Sequence, residues 1–268
     1  MPEPTVVPEH GWHCGHYLYR FRREVLADGL TEVQRERFCG ALHPDEDSKP
    51  ERLAAYWTSG HEADFAVVVM DPQPGKVDGV HQSLMAGPLG GVLEPAWSFI
   101  SISEISEYVP SVEQYRERLI REGVDENAPE LVAKVKAYEK RLPMMNRNRL
   151  QPEFPDWPAA CFYPMNKSRV PGANWFSEPF SARNQMMAEH AQSGIAFAGR
   201  VSQLISVGVG LDDWEWMVTL WARNPQYLKD IVYKMRFDEA SAKYAEFGPF
   251  YVGYRATAEE ILRHCRLI

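Results

Sequence analysis

Residues 197–235, FAGRVSQLISVGVGLDDWEWMVTLWARNPQYLKDIVYKM, read as two strands followed by a helix. Phe197 to Val209 and Glu215 to Trp221 are rich in the β-branched, aromatic and aliphatic residues that fit a pleated surface. Pro225 to about Met235 carries the helical pattern. Upstream, Ser181 to Ser193 reads as a helix and Ala159 to Met165 as a short strand. Downstream, Phe250 to Arg255 reads as a last strand. The order is therefore β-α-β-β-α-β. Residues 256–268 look like a short terminal helix.

The first part of the chain has the same rhythm. Trp12 to Phe21 reads as a strand, and helical sequence follows from about Thr31. Leu53 to Thr58 and Ala63 to Met70 (ADFAVVVM) are two more strands, residues 76–88 hold a helix, and Ala96 to Tyr108 is a long strand. Residues 110–158 differ: they are charged and helical to Arg141, then rich in Pro, Asn and Arg, as in a connector and long loop. The expected division is residues 1–110 as one ferredoxin-like half, 111–158 as connector and 159–268 as a second such half. Two such units packed sheet to sheet make an α+β fold.

The bulk properties bound the function. The chain has 268 residues, 45% hydrophobic and 25% charged, which supports a sizeable core and ordinary globular behaviour. A formal net charge of -8 argues against a nucleic-acid partner. Any anionic ligand then needs a local basic pocket built against the global field. Cys14, Cys39, Cys161 and Cys265 are widely spaced and form no C-x-x-C pair, so they read as reduced thiols of a cytoplasmic protein. The segment MPEPTVVPEH lacks the basic and apolar regions of a signal peptide, and no run of about 20 apolar residues marks a membrane span.

Chemistry-bearing residues fall in a few stretches. GWHCGHYLYRF (11–21) draws attention first, but His13 and His16 are three apart and point to opposite faces of a strand, so they cannot chelate one ion. His190 is different. Met186 and Met187 lie one helical turn before it, an apolar bed that suits either an axial iron ligand or a packed helix histidine. In FYPMNKSR, Tyr163, Met165 and Lys167 share one strand face, an odd combination for a core and a fitting one for an aromatic ligand with carboxylates. Arg147 and Arg149 cluster upstream, and KMRFDEASAKY adds Arg236 and Ser241, although a solvated face explains most such charges singly. Trp214 and Trp216 share a strand face and read as packing.

YPMNK, the helix ending in MMAEH, LDDWEWMVTLWA and VYKMRFDEASAKYAEFGPFYVG together resemble the chlorite dismutase-like superfamily, and within it the coproheme decarboxylase branch. The resemblance is dense from Arg147 to Gly253 and fainter before. It implies a dimeric α+β barrel of two ferredoxin-like halves, usually assembled as a pentamer, with the ligand in the C-terminal half. By resemblance, His190 matches the proximal iron ligand and Gln203 the distal residue, where chlorite-degrading members carry arginine. Tyr163 matches a tyrosine that becomes a radical. Lys167, Arg147, Tyr108, Arg236 and Ser241 fall where propionates are held, and Met165 lines the pocket. The implied reaction is oxidative decarboxylation of two propionates of iron-coproporphyrin III (coproheme) to vinyl groups, giving haem b, with hydrogen peroxide as oxidant. A transient contact with ferrochelatase is the implied partnership. One departure stands out: the usual His-Gly-x-x-Gly-Arg reads here His190-Ala191-Gln192-Ser193-Gly194-Ile195, and Arg169, Arg183 and Arg200 are the candidates to replace the missing arginine, a choice the sequence leaves open. The competing readings are a peroxidase or chlorite-degrading lyase of the same fold, and a haem carrier or sensor without turnover.

Overall fold

The computed structural model describes residues 3–268, leaving the first two residues of the N-terminal reading outside the described region. The N-terminal half runs β1 (His13–Phe21), α1 (Glu32–Leu42), β2 (Arg52–Ser59), β3 (Phe65–Asp71), α2 (Pro74–Met85), a single turn α3 (Gly87–Gly90) and β4 (Leu93–Ser103). Two helices follow, α4 (Val112–Arg121) and α5 (Pro129–Leu150). The C-terminal half runs β5 (Ala159–Lys167), a hairpin of β6 (Arg169–Val170) and β7 (Ala173–Asn174), α6 (Phe180–Ile195), β8 (Val201–Val207), β9 (Trp216–Ala222), α7 (Pro225–Met235), α8 (Glu239–Ala242), β10 (Ala245–Phe247), β11 (Tyr251–Arg255) and α9 (Ala258–His264).

Pairing closes the main sheet into a barrel. The strands run β5-β11-β2-β3-β1-β4-β8-β9, and β9 pairs back onto β5, with Tyr163 opposite Val218 and Met165 opposite Trp216. Short β10 extends the β11 edge of β5, placing Phe247 opposite Met165. Each half contributes four strands in the same relative order, fourth-first-third-second in its own β-α-β-β-α-β sequence. The α+β class and the two-half barrel expected from the sequence are thus the observed architecture. Closure leaves no free edges along these strands, which removes the usual route to edge-to-edge pairing.

Alternation along each strand divides the core into layers. Leu18, Tyr56, Phe162 and Trp221 point into the barrel. Tyr17, Phe21 and Phe65 point outward under α1 and α2. Cys161, Tyr163, Val218 and Leu220 point outward in the other half, under α7. Removing a ring such as Phe162, fully buried inside the barrel, costs about 3–5 kcal/mol. Local sequence fixes the helices that frame the site. Asn224 caps α7 through the Gln226 amide, Pro225 occupies its first turn, and Leu228 and Ile231 bury one stripe.

Three details differ from the sequence expectation. The long strand ends at Ser103 rather than Tyr108, because residues 106–108 turn away toward α4. The connector is helical through Leu150, so Arg147 sits on α5 rather than in a loop; Pro143 interrupts its hydrogen bonding from an exposed face without ending it. Finally, α9 packs its Ala258, Ile261 and Leu262 into the layer beneath α1 and α2, so the last helix of the chain covers the N-terminal half.

Candidate functional site

The site is built where α6, β5 and the α7–α8 turn meet. His190 lies on α6, and its Nδ1 is 2.8 Å from Oδ2 of Asp238. Asp238 precedes α8 and is 5% exposed. A carboxylate only accepts, so the imidazole donates from Nδ1. The neutral ring then presents Nε2 as a free electron-pair donor, the arrangement that orients metal-ligating histidines. Ser193, one turn further along α6, donates to the other Asp238 oxygen at 2.7 Å. The Ser241 hydroxyl lies 3.5 Å from the same Nδ1. Burial pushes the His190 imidazolium below the usual histidine range; Asp238 opposes that shift and the Lys167 charge adds to it.

Lys167 ends β5 and is 8% exposed. Its Nζ donates to the Ala240 carbonyl at 2.8 Å and sits 4.4 Å over the Trp175 ring. Among the described residues no carboxylate lies within ion-pair distance of it. Burial alone draws its pKa down to about 8. Glu215, the nearby acid, is committed elsewhere: it accepts from the Lys167 backbone amide at 3.2 Å and from the Arg169 guanidinium.

Tyr163 stands two positions before Met165 and four before Lys167 on the outward face of β5. It is buried, stacked on Phe250 at 4.3 Å and tilted against Phe247 at 5.8 Å. Its hydroxyl takes no hydrogen-bond partner among the described residues, and burial raises its pKa well above the phenolic range while Arg236 opposes the shift. The Arg236 guanidinium lies 3.9 Å over the Phe247 ring and pairs with no carboxylate among the described residues. Gln203 is exposed on β8, with its Nε2 4.0 Å from where a Cβ on Gly194 would project. That same Cβ would come within 3.2 Å of Met235, so the glycine lets α6 lie close to α7.

The structure therefore brings together His190, Lys167 and Ser241 at one end, Tyr163, Met165 and Arg236 beside them, and Gln203 against the same helix. Tyr108 joins them at one remove, its ring packing edge-on against Trp175, whose face carries the Lys167 ammonium, whereas Arg147 has no such contact among the described residues. Arg147 is exposed on α5 and makes no ion pair or side-chain hydrogen bond among the described residues. Tyr108 accepts at 3.1 Å from Arg183, two helical turns before His190, and stacks on Phe180 at the start of α6; burial raises its pKa to about 12. Of the three arginines that could replace the one missing at Ile195, Arg169 is held by Glu215 and Arg183 by Tyr108 and Glu107. Arg200 lies over Phe197 and Tyr227 without a carboxylate.

Sequence reading missed Asp238, Ser193 and Trp175. The Asp-Glu pair opening DEASA carried the only signal for Asp238, since an aspartate before a helical turn reads as a cap. The stretch GWHCGHYLYRF behaves as its alternation requires. His16 points into the barrel, 2.7 Å from Thr219 Oγ1, while His13 contacts the Val6 carbonyl outside.

A neutral histidine with a fixed tautomer, two cations without counter-ions and flat aromatic walls suit a planar iron macrocycle bearing carboxylate arms. The comparisons agree. The chlorite dismutase family pattern matches residues 23–256. A coproheme decarboxylase of Oceanobacillus iheyensis is 36% identical, over 97% of this chain and 98% of its own. A protein of Natronomonas pharaonis named for haem binding is 33% identical, and the chain spans only 40% of its length. Among solved structures, a haem-binding protein from Thermus thermophilus superposes with a TM-score of 0.76 at 30% identity, covering 100% of this chain and 98% of that one. A chlorite dismutase variant from Candidatus Nitrospira defluvii shares the fold, with a TM-score of 0.70 at 17% identity over 96% of each chain.

Proposed function

Because this chain belongs to the chlorite dismutase family, we propose that it is a peroxide-dependent coproheme decarboxylase, converting two propionates of iron-coproporphyrin III to vinyl groups and yielding haem b. The observation that carries the reading is Lys167: a buried ammonium with no counter-ion, within electrostatic range of His190 and on the strand face of Tyr163. A buried cation without a partner is costly unless a ligand supplies the anion. A carrier of the same porphyrin needs no redox tyrosine beside that cation.

When bound, the iron porphyrin supplies the redox chemistry with peroxide. The chain does the rest. His190 would ligate iron through Nε2, with Asp238 keeping the proton on Nδ1. Lys167 and Arg236 bind propionates as charge-assisted donors, with Ser241 adding a neutral one. Tyr163 would lose the electron and proton of its hydroxyl to the peroxide-derived oxidant and, as a tyrosyl radical, would take a hydrogen atom from a propionate β-carbon; loss of a second electron to that oxidant and of carbon dioxide would leave the vinyl group, one peroxide becoming two waters for each propionate. Met165 lines the space beside that propionate. Gln203 offers a neutral amide on the open side, without the cation expected for chlorite chemistry. Tyr108 would reach a propionate from beside Trp175, and Arg147 only from α5, so Arg147 is the weakest member of the set. The expected setting is the cytoplasm, in a homopentamer, with coproheme handed over by transient contact with ferrochelatase.

The test is mass-resolved turnover. Apoprotein loaded with ferric coproheme and titrated with hydrogen peroxide should lose two carbon dioxide units stepwise. Tight binding without mass loss would leave a carrier or peroxidase.

A further inference from the structure

A second cleft, of about 820 Å3, opens at the seam between the halves and shares no wall with the His190 site. It is formed by the start of β2, the end of β11 and the loop of residues 151–158. Its size is that of small-molecule sites, and seams between units are where such sites commonly form.

Its walls hold one cation and one anion that the fold leaves unused. Arg255, at the end of β11, has no carboxylate within ion-pair distance among the described residues; its Nη1 lies 3.5 Å from the Tyr56 hydroxyl. Asp156 is exposed and makes no ion pair or side-chain hydrogen bond among the described residues. The two lie close to one place. The Arg255 backbone amide donates to the Pro158 carbonyl at 2.9 Å, which brings the end of β11 against the loop that carries Asp156, and both residues line the same cleft. They nonetheless do not pair with each other. The other charges of the cleft are committed: Arg52 binds Glu51 and Glu153, Lys49 pairs with Glu46 at 3.5 Å, and Glu260 caps α9 through Thr257. Leu42, Leu53, Phe154 and Trp157 supply apolar surface beside them.

A separated guanidinium and carboxylate flanked by apolar wall match a small zwitterion with an apolar tail. We propose that this cleft binds a free amino acid with an apolar side chain, its carboxylate on Arg255 and its ammonium on Asp156. Arg255 supplies a forked donor to the carboxylate. The Tyr56 hydroxyl, which accepts from Trp221 at 2.7 Å inside the barrel, backs the guanidinium.

Calorimetry and saturation-transfer NMR on the full chain would test this with phenylalanine as ligand. Phenylpropionate, which lacks the ammonium, and phenethylamine, which lacks the carboxylate, are the controls. Phenylalanine should bind saturably with a Kd on the order of 1 mM, as expected for a ligand of about a dozen atoms. Arg255→Gln should weaken phenylalanine and phenylpropionate by about tenfold or more, and Asp156→Asn should weaken phenylalanine but leave phenylpropionate unchanged. Coproheme binding at His190 should be unaffected in both variants, so failure here and failure of the decarboxylase reading are distinguishable. An absence of saturation at tens of millimolar, or unchanged phenylalanine binding in both variants, overturns the proposal.

Discussion

His190 Nδ1 and Asp238 Oδ2 are 2.8 Å apart, and the carboxylate is anchored in turn by Ser193 at 2.7 Å. The chain thus spends a buried acid on the orientation and basicity of one imidazole. Asp238→Asn keeps the size and an acceptor oxygen but removes the charge. Coproheme affinity should fall about 10–100-fold, the usual effect of losing a partner of a metal-bound histidine. Spectrophotometric titration of apoprotein with coproheme measures it. An unchanged affinity would mean that Asp238 is a fold anchor only.

Tyr163 separates binding from turnover. Its ring packs against Phe250 and Phe247, and its hydroxyl has no partner among the described residues. Tyr163→Phe keeps the ring contacts and removes a hydroxyl that has no protein partner among the described residues, so the unfolding free energy should change by less than about 1 kcal/mol. Coproheme should still bind. Peroxide-driven loss of carbon dioxide should stop, as mass spectrometry of the porphyrin would record. A variant that still decarboxylates at the wild-type rate removes Tyr163 from the mechanism.

How far the sequence could be read follows from the range of each interaction. Strand alternation and helix periodicity are local, so the strands around Tyr163 and the helix of His190 were legible, and α7 was placed at its observed bounds. The two β-α-β-β-α-β halves followed from their order. What closes the barrel, β9 back onto β5, is non-local and came only from the resemblance. Asp238 was hidden because its burial depends on α6 arriving from 48 residues away. Arg147 was misplaced because Pro143 reads as a stop, whereas α5 carries it on an exposed face. Tyr108 was assigned to a strand whose ladder ends at Ser103, and its partner Arg183 lies 75 residues on.

Lys167 predicts opposite pH dependences for stability and binding. Burial holds its folded pKa at about 8, against 10.5 ordinarily. Between these values the unfolded chain binds more protons, so the ligand-free protein should gain stability as pH rises, by at most about 1.4 kcal/mol per unit from this residue. Lys167→Met should abolish that slope and stabilise the ligand-free protein at pH 7, while weakening coproheme binding. In the wild type, coproheme affinity should decline as pH rises past about 8, where the ammonium deprotonates before meeting a propionate. Denaturation and ligand titrations across pH 7–10 give both slopes. A flat binding profile would place the propionate elsewhere.

His16 gives the acid limb. It is buried inside the barrel beside Phe162, and its Nε2 is 2.7 Å from Thr219 Oγ1. Burial lowers its pKa to about 3, from 6.5. A depressed folded pKa means that the stabilisation is fully present above pH 6.5 and is lost as pH falls toward 3. This one residue should therefore contribute a slope approaching 1.4 kcal/mol per pH unit across that window. His16→Gln can keep a polar contact to Thr219 but does not titrate. It should cost stability at pH 7 through imperfect packing, yet flatten the dependence between pH 6 and 4. Urea denaturation midpoints at matched pH values compare the two. If the variant loses stability with the same acid slope as wild type, protonation inside the barrel is not what opens it, and groups elsewhere in the fold carry the acid transition instead.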